Sequence, residues 1–342
     1  MTDTHEHAAA CSGASARVAG SRVDVHCHYI PDFYHEALMA NGHAKTDGVP
    51  FIPPWSEEEA LEVMDQLGVK KQYLSVSSPG VHFGSDAAAR DLARRVNEEG
   101  ARLSHAHPER FGFFASTPLP DVGGALTEIS YAFDHLGAAG VVFMTNFHGI
   151  YHGDELLEPV YAELDRRNAV IFLHPTSPAT SSGRGGRWPM PYPRSLGEFL
   201  FDTTRSVTHL VVSGVLDRYR NLRVIVPYAG AALPVMASGM DLVGRRVGSG
   251  KPHMVHDALR RLHFDLAGLP LPDMLAPLLR VTDPTQIHYG TDYPFTPVPE
   301  IERIAAQLDN AAVLTGLELA MYGNSEALFR SDRSDVRNSQ GR

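Results

Sequence analysis

The sequence holds only two cysteines, Cys11 and Cys27, among 342 residues. Two thiols cannot build a disulfide framework, so a reducing cytoplasm is the expected compartment. An excess of basic charge is missing as well: 30 Lys and Arg face 40 Asp and Glu, for a formal net charge of −10. A general nucleic-acid binder would carry the opposite sign and a basic patch, so no nucleic-acid partner is expected. No apolar run approaches the ~20 residues of a membrane span, which removes a membrane partner too. Residues 1–21 are rich in Ala, Ser and Gly, carry Asp3 and Glu6, and lack the continuous apolar stretch of a signal peptide. They read as a disordered leader, in which His5 and His7 are simply solvated, and the polar stretch 331–342 reads as a disordered tail. Also absent is a glycine-rich phosphate loop after the first predicted strand, where His28-Tyr29-Ile30-Pro31 stands instead. An open, doubly wound nucleotide-binding sheet would need that loop.

What is present is a regular alternation of short apolar runs and helical patterns. The runs predict strands over 22–29, 72–78, 111–116, 140–145, 169–175, 223–229, 262–268 and 287–294. Helical patterns fill the gaps, among them Ser56-Glu57-Glu58-Glu59, a capping box opening an amphipathic run through Leu61, Met64 and Leu67. Further helices are expected over 85–105, 123–136, 154–167, 199–216, 233–247 and 270–279. Strand-helix units repeated in this way, with strands apolar on both faces, indicate a (β/α)8 TIM barrel in one domain over 22–330. Two long insertions, Pro31–Trp55 and Thr176–Glu198, follow the first and fifth strands and would cover the barrel mouth as lids.

Asp24-Val25-His26-Cys27-His28 carries the chemistry. Residues two apart on a strand face the same way, so His26 and His28 share a face that Cys27 turns away from. His174 ends the fifth predicted strand, and Asp292 lies near the end of the eighth. In this barrel class reacting groups sit at the carboxyl ends of strands. Three imidazoles and a carboxylate converging there suit a single first-row divalent ion, zinc first and manganese second.

With these features the chain resembles the amidohydrolase superfamily, and within it the metal-dependent decarboxylase branch that acts on aminocarboxymuconate semialdehyde, γ-resorcylate and 6-methylsalicylate. The resemblance runs from about Val23 to Phe329. It includes Pro53-Pro54-Trp55-Ser56, Ser77-Ser78-Pro79-Gly80-Val81-His82-Phe83-Gly84, Phe201-Asp202-Thr203-Thr204-Arg205 and Tyr289-Gly290-Thr291-Asp292-Tyr293-Pro294-Phe295. It implies His26, His28, His174 and Asp292 as metal ligands, with Asp292 also carrying a proton to the ring carbon. The implied reaction is non-oxidative decarboxylation of a small aromatic, salicylate-type acid: the metal acts as Lewis acid and template, the carboxylate as general acid. The branch also tends to form dimers, so a homodimer is expected. Two positions depart from its pattern. Tyr228 stands where the branch carries a histidine, and Gly239 where it carries an arginine that in the muconate enzyme helps clamp a substrate carboxylate across a dimer. A phenol with an ordinary pKa near 10 is a poor base but a good hydrogen-bond donor.

Other residues have two readings. Trp55, Arg205 and Tyr293 are candidate substrate contacts; Trp55 could instead pack under the lid, and Arg205 could pair with Asp202 one helical turn away. Asp24 reads as a hydrogen-bonding group deep in the barrel, Asp265 as structural, and His263 and His288 as packing residues. His148 and His152 fall in the loop after the fourth strand, solvated or touching substrate. Two rival functions stay open: metal-dependent hydrolysis of a lactone or amide, and a repurposed barrel in which Tyr228 has altered the chemistry.

Overall fold

The computed structural model describes residues 22–178, 192–246, 254–314 and 318–330. The expected leader, the expected tail, Cys11 and the middle of the second insertion lie outside them. Eight strands form one parallel sheet in sequential order. They are β1 (Arg22–His28), β2 (Val69–Ser75), β3 (Phe111–Ala115), β4 (Gly140–Met144), β5 (Val170–His174), β6 (Arg223–Val226), β7 (His263–Asp265) and β8 (Ile287–His288). The barrel closes where β1 meets the segment after β8: Val25 N–H donates to Tyr289 O at 3.0 Å and His28 N–H to Tyr293 O at 2.7 Å. This is a (β/α)8 TIM barrel with insertions over its mouth.

Every residue of β1, β3, β4 and β5 is buried, as parallel strands covered by helices require. The inner face of β1 carries Asp24, His26 and His28, while Val25 and Cys27 join the outer hydrophobic layer. Phe172 and Phe114 fill the barrel beneath the histidines, with the Phe172 ring 4.9 Å from that of His26 and 5.4 Å from that of Phe114. Each fully buried phenylalanine stabilises the barrel by about 2–3 kcal/mol. Asp24 lies deeper, accepting from Thr291 Oγ1 at 2.6 Å and from Gln72 Nε2 at 3.3 Å. Burial, partly offset by the Thr291 hydroxyl, pushes its pKa up to about 7.

Local signals hold for helix starts. Ser56 accepts from Glu59 N–H, Ser85 from Ala88 N–H and Asp121 from Gly124 N–H, caps worth about 1 kcal/mol each. Strand ends differ from expectation. The second strand starts at Val69, three residues early, and the last two stop well short of 268 and 294. Asp292, at φ 59°, bends the chain out of the ladder. Gly290 permits close approach to β1, since a Cβ there would lie 2.8 Å from His26 Cβ. The helix expected over 270–279 is helical only at Leu275–Leu279, because Pro270 and Pro272 remove N–H donors and bias the residues before them away from helix.

The two insertions meet over the mouth. The first contains a helix, Asp32–Ala40, and a short turn at Thr46–Gly48. Asp47 accepts from Ser177 N–H at 3.1 Å and from the Ser177 hydroxyl, and Arg194 donates to the same hydroxyl. After β4 an unexpected hairpin pairs Asn146–Phe147 with Ile150–Tyr151. Its two turn residues, His148 and Gly149, have positive φ, the backbone that two-residue hairpins favour.

Candidate metal centre

β1 projects His26 and His28 into the mouth, β5 ends on His174, and the bend after β8 returns Asp292 against them. One ligand atom from each of the four lies within 4.8 Å of the others. Asp292 Oδ1 is 3.1 Å from His28 Nε2 and 3.5 Å from His26 Nε2. All three imidazoles are buried, yet His26 Nε2 and His174 Nδ1 have no hydrogen-bond partner. Buried polar nitrogens without partners are costly, and a cation at their centre would satisfy them. Imidazoles with free nitrogens plus one carboxylate are the donor set of a first-row divalent ion, so these residues form a site fit for a metal.

The surroundings orient the ligands. Asp265 Oδ2 is 3.0 Å from His26 Nδ1, and its other oxygen accepts from Tyr228 N–H at 3.1 Å and Ala267 N–H at 3.0 Å. His28 Nδ1 faces Ser75 Oγ at 3.2 Å and Ser75 O at 3.3 Å. A carboxylate behind a ligating imidazole sets its tautomer and raises its basicity. The electrostatics follow. Burial opposes charge on His26, but Asp265 and then Asp292 outweigh it and hold its pKa up at about 10. Burial takes His28 down despite Asp292, and takes His174 well down, helped by His28 and His26. Burial pushes Asp292 up, yet the imidazoles of His26 and His28 that face it carry it far below the usual carboxylate range. Tyr228 donates from its hydroxyl to Asp292 Oδ2 at 3.1 Å, and burial, reinforced by Asp292, pushes its phenol well above the ordinary value.

His174, Asp292 and Tyr228 line a cavity of about 560 Å³, whose apolar walls include Phe51, Phe199, Met274 and Phe295. The candidate substrate contacts do not line it. Trp55 packs its ring 6.2 Å from that of Tyr29. Arg205 pairs with Asp202 at 2.6 Å, the helical alternative read from sequence. Tyr293 is buried, its backbone bridged to that of Cys27. His152 is a buried structural residue, 2.8 Å from Met144 O and 3.0 Å from Tyr161 OH. Sequence reasoning passed over Asp265 as an orienting group and Phe199 and Phe295 as walls. An acid at the end of a predicted strand was the available signal for Asp265; the two phenylalanines gave none.

A model of the amidohydrolase family matches residues 23–331. The chain belongs to the amidohydrolase family. This amidohydrolase is 35% identical over 321 residues to a 6-methylsalicylic acid decarboxylase of Aspergillus aculeatus, covering 90% of this chain and 96% of that protein. A crystal structure described as an amidohydrolase II superposes with a TM-score of 0.85 at 32% identity, over 91% of this chain and all of the other. A dihydroxybenzoic acid decarboxylase of a Polaromonas species, crystallised with manganese and 2-nitroresorcinol, shares the fold at 20% identity and a TM-score of 0.76, over 92% of this chain and 98% of its own. Among the described residues no helix is long and apolar enough to cross a membrane.

Proposed function

We propose that this amidohydrolase is a metal-dependent carboxy-lyase that removes carbon dioxide, without oxidation, from a small aromatic acid bearing a hydroxyl ortho to the carboxylate. The observation that carries the proposal is the convergence of His26, His28, His174 and Asp292 at the base of an apolar cavity, in a chain similar along most of its length to a 6-methylsalicylic acid decarboxylase. These four residues would hold one divalent ion, zinc by preference of the imidazoles and manganese as in the Polaromonas neighbour. Bound there, the ion supplies Lewis-acid charge and a template for the substrate carboxylate and its ortho oxygen.

The chain's own residues supply the rest. Phe199 and Phe295 flank the ring and keep water from it. Asp292, ionised at rest, takes a proton from solvent on Oδ2 and hands it to the ring carbon bearing the carboxylate. That carbon gains hydrogen, the carbon–carbon bond breaks leaving its electron pair in the ring, and carbon dioxide leaves as aromaticity returns. Tyr228 holds Oδ2 in place through its hydroxyl. Its phenol, pushed up by burial, is no base for activating water, which weighs against hydrolysis. With Tyr228→Phe, kcat should fall about tenfold with metal content unchanged, the cost of one lost hydrogen bond in the transition state.

The same proposal includes a homodimer and a cytoplasmic setting. Val235, Met236, Leu242 and Val243 stand exposed on helix Leu233–Arg246, an apolar face that a second copy would cover; the mass in solution tests it. Cys27 is a free, buried thiol, in keeping with a reducing compartment. The deciding experiment is carbon dioxide release from a panel of substituted salicylates, with zinc or manganese and with a chelator. Release that the chelator stops is expected; none from protein holding about one metal per chain would overturn the proposal.

A further inference from the structure

The barrel mouth is divided in two. Ser78 Oγ and Thr176 Oγ1, in the loops after β2 and β5, stand 2.6 Å apart and form a ridge across it. The metal chamber lies on one side. On the other, over the ends of β2, β3 and β4, is a second cavity of about 400 Å³ walled by Leu119, Val142, Met144 and Phe147, within the size range of small-molecule sites. Ser116 and Thr117, which follow β3, also line it; they are 3% and 7% exposed, and neither hydroxyl has a hydrogen-bond partner. The backbone of Ser116 is satisfied by Asn97, which donates to its carbonyl at 2.9 Å and accepts from its N–H at 2.7 Å. Only the hydroxyl is left over.

A buried hydroxyl without a partner is unfavourable, and a ligand bearing a hydroxyl would relieve it. Among the described residues no Asp, Glu, Lys or Arg lines this cavity. Three histidines do line it, but burial lowers His43 and His148 below the ordinary imidazole value, and His82 already faces Asp86 at 2.9 Å. A charged ligand would therefore lose hydration there and meet no permanently charged partner. The walls suit a flat apolar ring. A neutral molecule with such a ring and one hydroxyl meets all three conditions.

We propose that the second cavity is a binding site for a neutral monocyclic phenol, its ring against Val142, Met144 and Phe147 and its hydroxyl on Ser116 and Thr117. Loss of carbon dioxide from an ortho-hydroxybenzoic acid leaves a phenol of this class, so the cavity would take the product formed across the Ser78–Thr176 ridge. That choice of source rests on the proposed function; the binding itself does not.

The test is calorimetric titration of the metal-loaded full chain with 3-methylphenol, in the unsubstituted protein, Thr117→Val and Val142→Phe. A saturable event is expected that Thr117→Val weakens about five- to tenfold, as one lost hydrogen bond would, and that Val142→Phe removes by filling the space. Metal content should be the same in all three. If Val142→Phe does not fold, the isosteric Thr117→Val decides. Titrations alike in every protein, or no saturable event up to about 10 mM, would overturn the site. Carbon dioxide release from the same proteins separates the two readings. Phenol binding without decarboxylation removes only the product assignment, and decarboxylation without phenol binding removes only the site.

Discussion

Three histidines gather on each side of the divided mouth, and they behave oppositely. His26, His28 and His174 stand on barrel strands, fully buried, with two ring nitrogens unpartnered and Asp292 facing them. His43, His82 and His148 sit on loops around the second cavity. There His82 Nδ1 is 2.9 Å from His148 Nε2, His82 Nε2 is 2.9 Å from a solvent-exposed Asp86, and His43 packs its ring 4.8 Å from that of Phe83. Residue type is the same; what differs is how the nitrogens are spent. Strands hold imidazoles so that their lone pairs meet at one point, while on the loops His82 is spent on His148 and Asp86 and His43 packs against Phe83. A metal centre needs the first arrangement, because ligand atoms must be fixed and free before the ion arrives.

The comparison breaks first at the ligands. With His174→Ala the site should lose its metal on dialysis and its decarboxylation by at least about a thousandfold, read by elemental analysis and carbon dioxide release. Retention of both would erase the distinction between the two histidine groups. Next comes the group behind the ligands. Asp265→Asn keeps the shape but removes the charge facing His26 Nδ1, and should weaken metal binding about 10–100-fold in a chelator competition.

His152 offers a third environment, buried yet fully bonded. Burial is the main cause that lowers its pKa from 6.5 to about 4, so the folded protein keeps it neutral where the unfolded chain takes up a proton. Its contribution is complete above pH 6.5 and is lost as pH falls towards 4, about 2 kcal/mol at pH 5. Urea unfolding of His152→Gln should show a correspondingly flatter dependence between pH 7 and pH 5. The smallest effect is expected from His148→Ala, on the exposed hairpin turn: under about 0.5 kcal/mol in stability and no change in metal content. A larger loss of metal would mean that the two sides of the mouth are coupled.

The sequence alone determined the barrel and the strand-end positions of the four residues that meet in the metal centre. Strand burial, helix caps and the two-residue alternation that turns His26 and His28 to one side are local properties, written within a few residues of each other. Strand ends were less legible, since the bend at Asp292 depends on β1 passing beside Gly290, and not on the apolar run itself. The tertiary structure alone decided what surrounds the ligands. It put Asp265 behind His26, 239 positions away in the chain, and lined the cavity with Phe199 and Phe295, not with Trp55, Arg205 or Tyr293. It also drew the Ser78–Thr176 ridge that makes two chambers of one mouth. The physical reason is that loops carry no periodicity to aim a side chain. Their direction is set by contacts between segments far apart in sequence, and those contacts exist only once the barrel has closed.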